Sequence, residues 1–247
     1  MLTFLKGRRV TNSIRYVLDN WLPPAVREFR PLAKVLALAF HGRHFDLDFK
    51  RRAHQLSDEE FAAAYDRLKP NCKRPYRLTD MTEAQLVWMT RHALGPDVLE
   101  VGCGWGVLAE RLTRRGDLRV TATDLAASNI ENARRRLATL SLPIHWRQAD
   151  SEKLPFADKS FDSTLCAHTL EHVRDFDRAV SELCRVTRRR LLIVVPCQRY
   201  YRYTIDYHLH FFAEPEELVR RLRLPVYHCE RVNGDLCYRA DLSEEVR

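Results

Sequence analysis

A doubly wound α/β sheet closed by an antiparallel hairpin and preceded by a helical extension is predicted for this 247-residue chain. Three observations predict it. From residue 97 onward, short apolar runs alternate with helix-like segments, and alternation at that spacing implies parallel strands joined by helical crossovers. The stretch "DVLEVGCGWGVLAERL" sets Gly102, Gly104 and Gly106 between a strand and a helix. Near the end, Asn233-Gly234 separates "VYHCERV" from "DLCYRAD", a strong hairpin signal.

In chain order, residues 1–92 read as a helical extension and 93–247 as the sheet domain. Ile14, Val17, Leu18, Trp21 and Leu22 recur at the spacing of one helical face, and Pro23-Pro24 ends that helix. "SDEEFAAAYDRL" opens with a capping box of Ser57 and Glu60. A further helix covers roughly 82–93. Strands follow near 97–101, 118–123, 144–149, 161–167 and 191–196, with helices near 106–115, 127–140 and 173–187. An aromatic loop, a helix near 214–222 and the two hairpin strands complete the chain.

Composition bounds the function. Hydrophobic content of 45% and charged content of 30% are ordinary for a globular protein. Forty-one Lys and Arg against 33 Asp and Glu give a net charge of +8, which suits an anionic partner such as RNA, a membrane surface or an acidic glycan. Seven cysteines with no CxxC pair exclude a zinc-ligand spacing and a disulfide framework, pointing to a reducing, cytoplasmic compartment. The start, "MLTFLKGRRVTNS", lacks the apolar region and cleavage site of a signal peptide. The most apolar segment, "LAKVLALAF", is half the length needed to span a bilayer.

Ligands of open α/β sheets bind beyond the carboxyl ends of the strands. The glycines permit tight turns and close ligand approach there; alone, they are equally a strand-to-helix turn. Asp124 ends the second strand, where an ionised carboxylate accepts hydrogen bonds from ribose hydroxyls. Asp150 ends the third, where an acceptor reaches an adenine amino group. Either acid also reads as a helix cap or turn residue. A dinucleotide fold would show G-x-G-x-x-G, but here the third glycine comes one residue early and Glu100 precedes the loop. A carboxylate there repels a pyrophosphate and suits an ammonium or sulfonium, favouring S-adenosylmethionine over a nicotinamide cofactor.

"VLEVGCGWG", "TATDLAASNIENARRRL", "ADSEKLPFADKSFDSTLCAHTLEHV" and "LLIVVPCQ" together resemble the class I S-adenosylmethionine-dependent methyltransferases, in the branch of the ubiquinone and menaquinone biosynthesis enzymes. The resemblance spans about residues 95–240. It implies a Rossmann-like sheet of seven strands with an antiparallel C-terminal strand. It also implies that Glu100 and the loop Gly102, Cys103, Gly104, Trp105 and Gly106 line the methionine and ribose part. Asp124 would hold the ribose, Leu125 would pack on the adenine, and Asp150, Ser151 and Glu152 would bracket the adenine edge. His168 would lie near the methionine end. Trp105 departs from the small or acidic residue common at its position, covering the cofactor or facing the core.

Methyl transfer from a sulfonium is an in-line displacement served mainly by positioning, and a hydroxyl acceptor also gains from a general base. His168, Glu171 and His172 in "CAHTLEHV", and Asp206, His208 and His210 in "RYTIDYHLHFF", are the candidates for it, with His172, Asp206, His208 and His210 taken as catalytic; His172 is alternatively architectural, and the histidines of the second stretch alternatively cap the next helix. No metal ligands are expected. The extension reads as a lid, with Arg74, Tyr76 or Tyr65 touching the cofactor, or as a basic amphipathic helix on an anionic membrane, peripheral at the inner face. The expected activity is O-methylation of a small molecule or a saccharide- or lipid-linked intermediate. The rivals are an RNA methyltransferase, with nucleic acid disfavoured by the lack of a separate binding module, and a catalytically silent cofactor-binding subunit.

Overall fold

The computed structural model describes residues 21, 23, 26, 29–41, 46–67, 78–200, 202–203, 207–224 and 226–242. The expected helical face at Ile14, Val17, Leu18 and Leu22 lies outside them, as do Arg74, Tyr76, the Tyr65 side chain and Asp206. The chain forms two compact units, Met1–Tyr76 with Arg199–His208, and Arg77–Gln198 with Leu209–Arg247.

The first unit contains α1 (Arg30–His41), α2 (Phe49–Arg52) with a following 3-10 turn (Ala53–Gln55), and α3 (Asp58–Arg67). The Ser57/Glu60 capping box forms as expected: the Glu60 amide donates to Ser57 Oγ and the Ser57 amide to Glu60 Oε2. Phe49 stacks on Phe61 and on Tyr207, with a centroid separation of 4.0 Å for the latter. The Asp46 amide donates to the Tyr207 hydroxyl. Part of the aromatic loop therefore completes the small core of this unit.

The second unit runs α4 (Glu83–His92), β1 (Asp97–Val101), α5 (Val107–Thr113), β2 (Arg119–Asp124), α6 (Ala127–Leu137), β3 (Ile144–Gln148), β4 (Phe161–Ala167), α7 (Phe176–Val186), β5 (Thr187–Pro196), α8 (Pro215–Leu222), β6 (Tyr227–Val232) and β7 (Asp235–Asp241). The sheet order is β3-β2-β1-β4-β5-β7-β6. Strands β1 to β5 are parallel, and β7 runs antiparallel between β5 and β6. Strand order reverses at β1 and β4, the switch point where α/β folds place ligands.

Strand β5 begins at Thr187, four residues before the apolar run that marks it in the sequence. Its first turns are Arg188, Arg189 and Arg190, a polar start that hides the strand from a hydropathy reading. Arg188 pairs with Asp162 and Arg190 with Asp241, so this polar start is held by neighbouring strands.

Side chains alternate across β1. Leu99 and Val101 join a core with Phe176 and Leu183 of α7 and Leu218 of α8. Val98 joins a second core with Leu86 and Met89 of α4, Leu108 and Leu112 of α5, and Ile130 of α6. Helices thus cover both faces, and the central strands are buried on both sides, as a parallel sheet requires. Helix α4, which the sequence reading grouped with residues 1–92, packs within this second core. Its Thr82–Gln85 capping box fixes its start.

Candidate cofactor site

Beyond the carboxyl end of β1, the chain turns sharply. The Gly102 and Cys103 amides both donate to Thr123 O at 2.8 Å, tying the loop to β2. Gly102 has φ +77, and a Cβ there would lie 1.9 Å from Thr169 Oγ1, so only glycine allows this approach. Gly104 is also left-handed, at φ +52, but a Cβ on it would meet no heavy atom within 4 Å. One glycine is required by the protein's own packing. The other opens onto space that a ligand can enter.

Asp124 closes this loop. Its Oδ2 accepts the Gly104 amide at 2.8 Å, and its Oδ1 accepts the Ala126 amide and Asn129 Nδ2 at 2.9 and 3.1 Å. The carboxylate therefore ties the turn before α6 to the glycine loop, as the turn reading of this residue expects. Arg136, on α6, binds the loop from its other side: Nε donates to Trp105 O, and a terminal nitrogen to Gly106 O. Its other terminal nitrogen pairs with Glu110 at 2.7 Å. Trp105 is half-buried, and Cys103 is buried in the second core.

Glu100 is the unusual group. It is buried beside this loop, and its Oε2 has no hydrogen-bond partner. Burial, with the nearby Asp124 carboxylate, raises its pKa to about 8, and the Ala109 amide and Arg136 offset only part of that. A buried carboxyl with an unsatisfied oxygen next to a second carboxylate is a site for a cation. This orphaned oxygen and the open cradle at Gly104 fit an adenosyl ligand carrying an ammonium and a sulfonium. The Cys103 thiol is pushed well up by burial and by Glu100 and Asp124, so it stays protonated and lines the loop as a small hydrophobe.

The remaining sequence candidates separate. Leu125 is half-buried, and its carbonyl accepts Gln148 Nε2 at 2.9 Å. Asp150 stands two residues past β3, where its carboxylate accepts the Glu152 amide at 2.8 Å within a turn. Ser151 is buried. Glu152 reaches instead to the start of α7, accepting the Arg174 and Asp175 amides. His168 sits immediately after β4 with φ +50, its ring between Glu171 and Asp235. His172 is more exposed, with Nε2 4.0 Å from Glu171. His210 turns its Nε2 to Val173 O at 2.9 Å and its ring to Phe176. His208 belongs to the first unit and Asp206 lies outside the described residues.

Within the second unit the structure thus brings Glu100, the glycine loop, Asp124 and His168 to the carboxyl ends of adjacent strands. Four neighbours escaped the sequence reading: Thr169 against Gly102, Trp146 packed where a Gly106 Cβ would point, Arg136, and Asp235. Only Asp235 had a sequence signal, an acid directly after the Asn-Gly turn.

Comparison with known proteins fits this geometry. A family described as "Methyltransferase domain" matches residues 99–195. Ubiquinone biosynthesis O-methyltransferase from Methylobacterium sp. (strain 4-46) is 33% identical over 120 residues, 46% of this chain and 48% of that protein. The protein of the same name from Methylocella silvestris is 46% identical over 81 residues, 33% of this chain and 31% of that one. The chain matches about half the length, or less, of these curated relatives. Among solved structures, a SAM-dependent methyltransferase from Aquifex aeolicus is 17% identical, covering 75% of this chain and 98% of its own, with a TM-score of 0.55. A second, from Methanosarcina mazei, is 19% identical, covering 68% and 100%, with a TM-score of 0.53. Both share the fold. Residues 99–195 of the chain thus match a methyltransferase domain, on a fold shared with these two structures.

Proposed function

We propose that this chain is an active methyltransferase that transfers a methyl group from S-adenosylmethionine to an oxygen of a small molecule or of a saccharide- or lipid-linked intermediate. The observation that carries the reading is the pairing of the open cradle at Gly104 with the buried, unsatisfied Glu100. When bound, the cofactor supplies an electrophilic methyl on a positive sulfur. Glu100 offers the cation a counter-charge, and Asp124 holds Gly104 in place while presenting its carboxylate to the ribose. Leu125, Asp150 and Ser151 are assigned to the adenine side, and His168 to the methionine side. Positioning and exclusion of water then supply most of the rate. His172, the most accessible imidazole beside Glu171, is assigned as the group that accepts the acceptor's proton. The relatives' printed name, an O-methyltransferase, supports the oxygen acceptor.

Calorimetric titration with S-adenosylhomocysteine tests the cofactor reading; no heat of binding overturns it. A screen of cell extract for a transferred labelled methyl group tests the acceptor class, and label found in RNA would favour the nucleic-acid alternative.

A peripheral membrane contact has its own support. Helix α1 exposes Val35 and Leu38, with Phe29 and Trp21 exposed before it, beside exposed Arg30 and Lys34. Residues 1–41 carry seven Lys or Arg against Asp19 and Glu28. Apolar side chains flanked by cations match an anionic bilayer. No described helix is long and apolar enough to cross one. Flotation with anionic vesicles decides the contact: protein left at the bottom refutes it, and Leu38→Glu should abolish it.

A further inference from the structure

The His168 ring, assigned above to the methionine side, sits between two buried carboxylates. His168 Nδ1 lies 3.4 Å from Glu171 Oε1 and its Nε2 3.3 Å from Asp235 Oδ2, and both acids are almost wholly buried. Asp235 opens β7 and also accepts Gln85 Nε2 of α4 at 2.9 Å. Gln85 Nε2 donates as well to Val232 O of β6. The backbone of His168 is left-handed, with its amide donating to Val194 O at 2.8 Å. That conformation costs a non-glycine residue about 1–2 kcal/mol, so the surrounding contacts must hold it.

We propose that His168 is a positioning residue whose ring, set between the buried carboxylates of Glu171 and Asp235, pins the turn 168–172 to β7 and so sets Thr169 against Gly102 beneath the glycine loop. The link is short. Thr169 Oγ1 is held at Val101 O and Ala167 O, 3.3 and 3.1 Å away, and it occupies the point where a Gly102 Cβ would stand. The His172 amide closes the turn on Thr169 O at 2.9 Å. A shift of the turn therefore moves the floor of the glycine loop directly. The proposal rests on the cofactor reading above and extends it to the contacts that hold the turn beneath the glycine loop.

The charge state follows from opposing effects. Burial disfavours the imidazolium, but Asp235 and Glu171 outweigh it and raise the pKa from 6.5 to about 9. A raised histidine pKa contributes stability that is complete below the ordinary value near 6.5 and is lost as pH rises through about 9. The charged groups facing the ring are Glu171 from its own turn and Asp235 from β7, with His172 on the far side of Glu171. Gln85 of α4 reaches the cluster through Asp235, and Val194 O of β5 accepts the main-chain amide of His168.

The test uses the full chain and S-adenosylhomocysteine as probe. His168→Gln keeps a polar side chain and removes the charge. Its Kd should rise about tenfold, the scale of one charge-assisted contact. Wild-type affinity should also fall as pH passes about 9, and more steeply than that of the variant. Glu100 and the ligand's own ammonium titrate in both experiments and cancel in the comparison. Amide exchange across 168–172, measured without cofactor, should quicken in His168→Gln. Asp235→Asn should weaken binding likewise, and the double variant should lose little more than either single one, as residues of one cluster are non-additive. An unchanged Kd, or the same alkaline limb in variant and wild type, overturns the proposal. If His168→Gln does not fold, Asp235→Asn decides by the same measurements. If the wild type binds no S-adenosylhomocysteine, the cofactor reading fails, while the exchange experiment still decides whether His168 pins the turn.

Discussion

Gly104→Ala separates folding from cofactor binding. An added Cβ meets no atom of the protein within 4 Å, so the fold sees only the backbone cost of alanine at φ +52. That cost is about 1–2 kcal/mol, equivalent to a fall in Tm of about 2–8 °C for a domain of this size. The methyl group would stand in the space assigned to the cofactor, on a residue whose amide is held by Asp124. Losing one close ligand contact and displacing the ligand by part of an ångström should cost about 2 kcal/mol or more, roughly a thirtyfold rise in Kd. Gly102→Ala should do the reverse. Its Cβ would collide with Thr169 Oγ1 at 1.9 Å, so the strained backbone and overpacking together cost about 2–5 kcal/mol of stability. Thermal melts and calorimetry with S-adenosylhomocysteine on both variants measure the contrast. A Gly104→Ala protein that binds as tightly as wild type shows that the cradle is not the cofactor's, and the site assignment falls with it.

Other outcomes follow from the same geometry. Asp124→Ala removes the acceptor for Gly104, Ala126 and Asn129; cofactor affinity should drop at least tenfold, about 1.4 kcal/mol, and unchanged affinity refutes the ribose assignment. Arg136→Ala frees the Trp105 and Gly106 carbonyls, so Tm should fall by several degrees, for a loss of about 1–3 kcal/mol. Glu100, raised from 4.5 to about 8, keeps in the folded protein a proton that the unfolded chain has lost. It therefore costs stability increasingly as pH rises from 4.5 towards 8. A cationic ligand favours its ionised form, so cofactor binding at pH 7 should release a proton. Calorimetry in buffers of different ionisation enthalpy reads this directly, and binding without proton release would place the cation elsewhere.

The order of strands and helices was legible because the central strands β1 and β4 and the later part of β5 are apolar runs between turn signals, and burial on both faces enforces that pattern. Glu100, the glycines and Asp124 were legible for a different reason: their spacing is fixed by the strand-loop-helix geometry that needs them. Legibility failed where contacts are long-range. Arg136 looks like one more cation in "ARRRL", and nothing local marks it as the clasp of a loop thirty residues earlier. Asp235 looked like a hairpin residue because its histidine partner lies 67 positions away in the chain. The aromatic stretch 203–212 reads as one loop carrying several catalytic candidates, yet the structure divides it after His208. Tyr207 serves a core in one unit, while His210 packs on Phe176 in the other.

The antiparallel insertion of β7 has a consequence for assembly. Antiparallel pairing sets Asp235 opposite Pro196, at the carboxyl end of β5, so a residue near the end of the sequence stands beside groups presented by β1 and β4. A ribosome exposes the glycine loop and His168 long before it delivers Asp235. Through that interval Glu171 and His168 face each other without their third member, and α4 lacks the acid that Gln85 grips. The turn beneath the glycine loop thus meets an acid from a strand that is made after every parallel strand of the sheet.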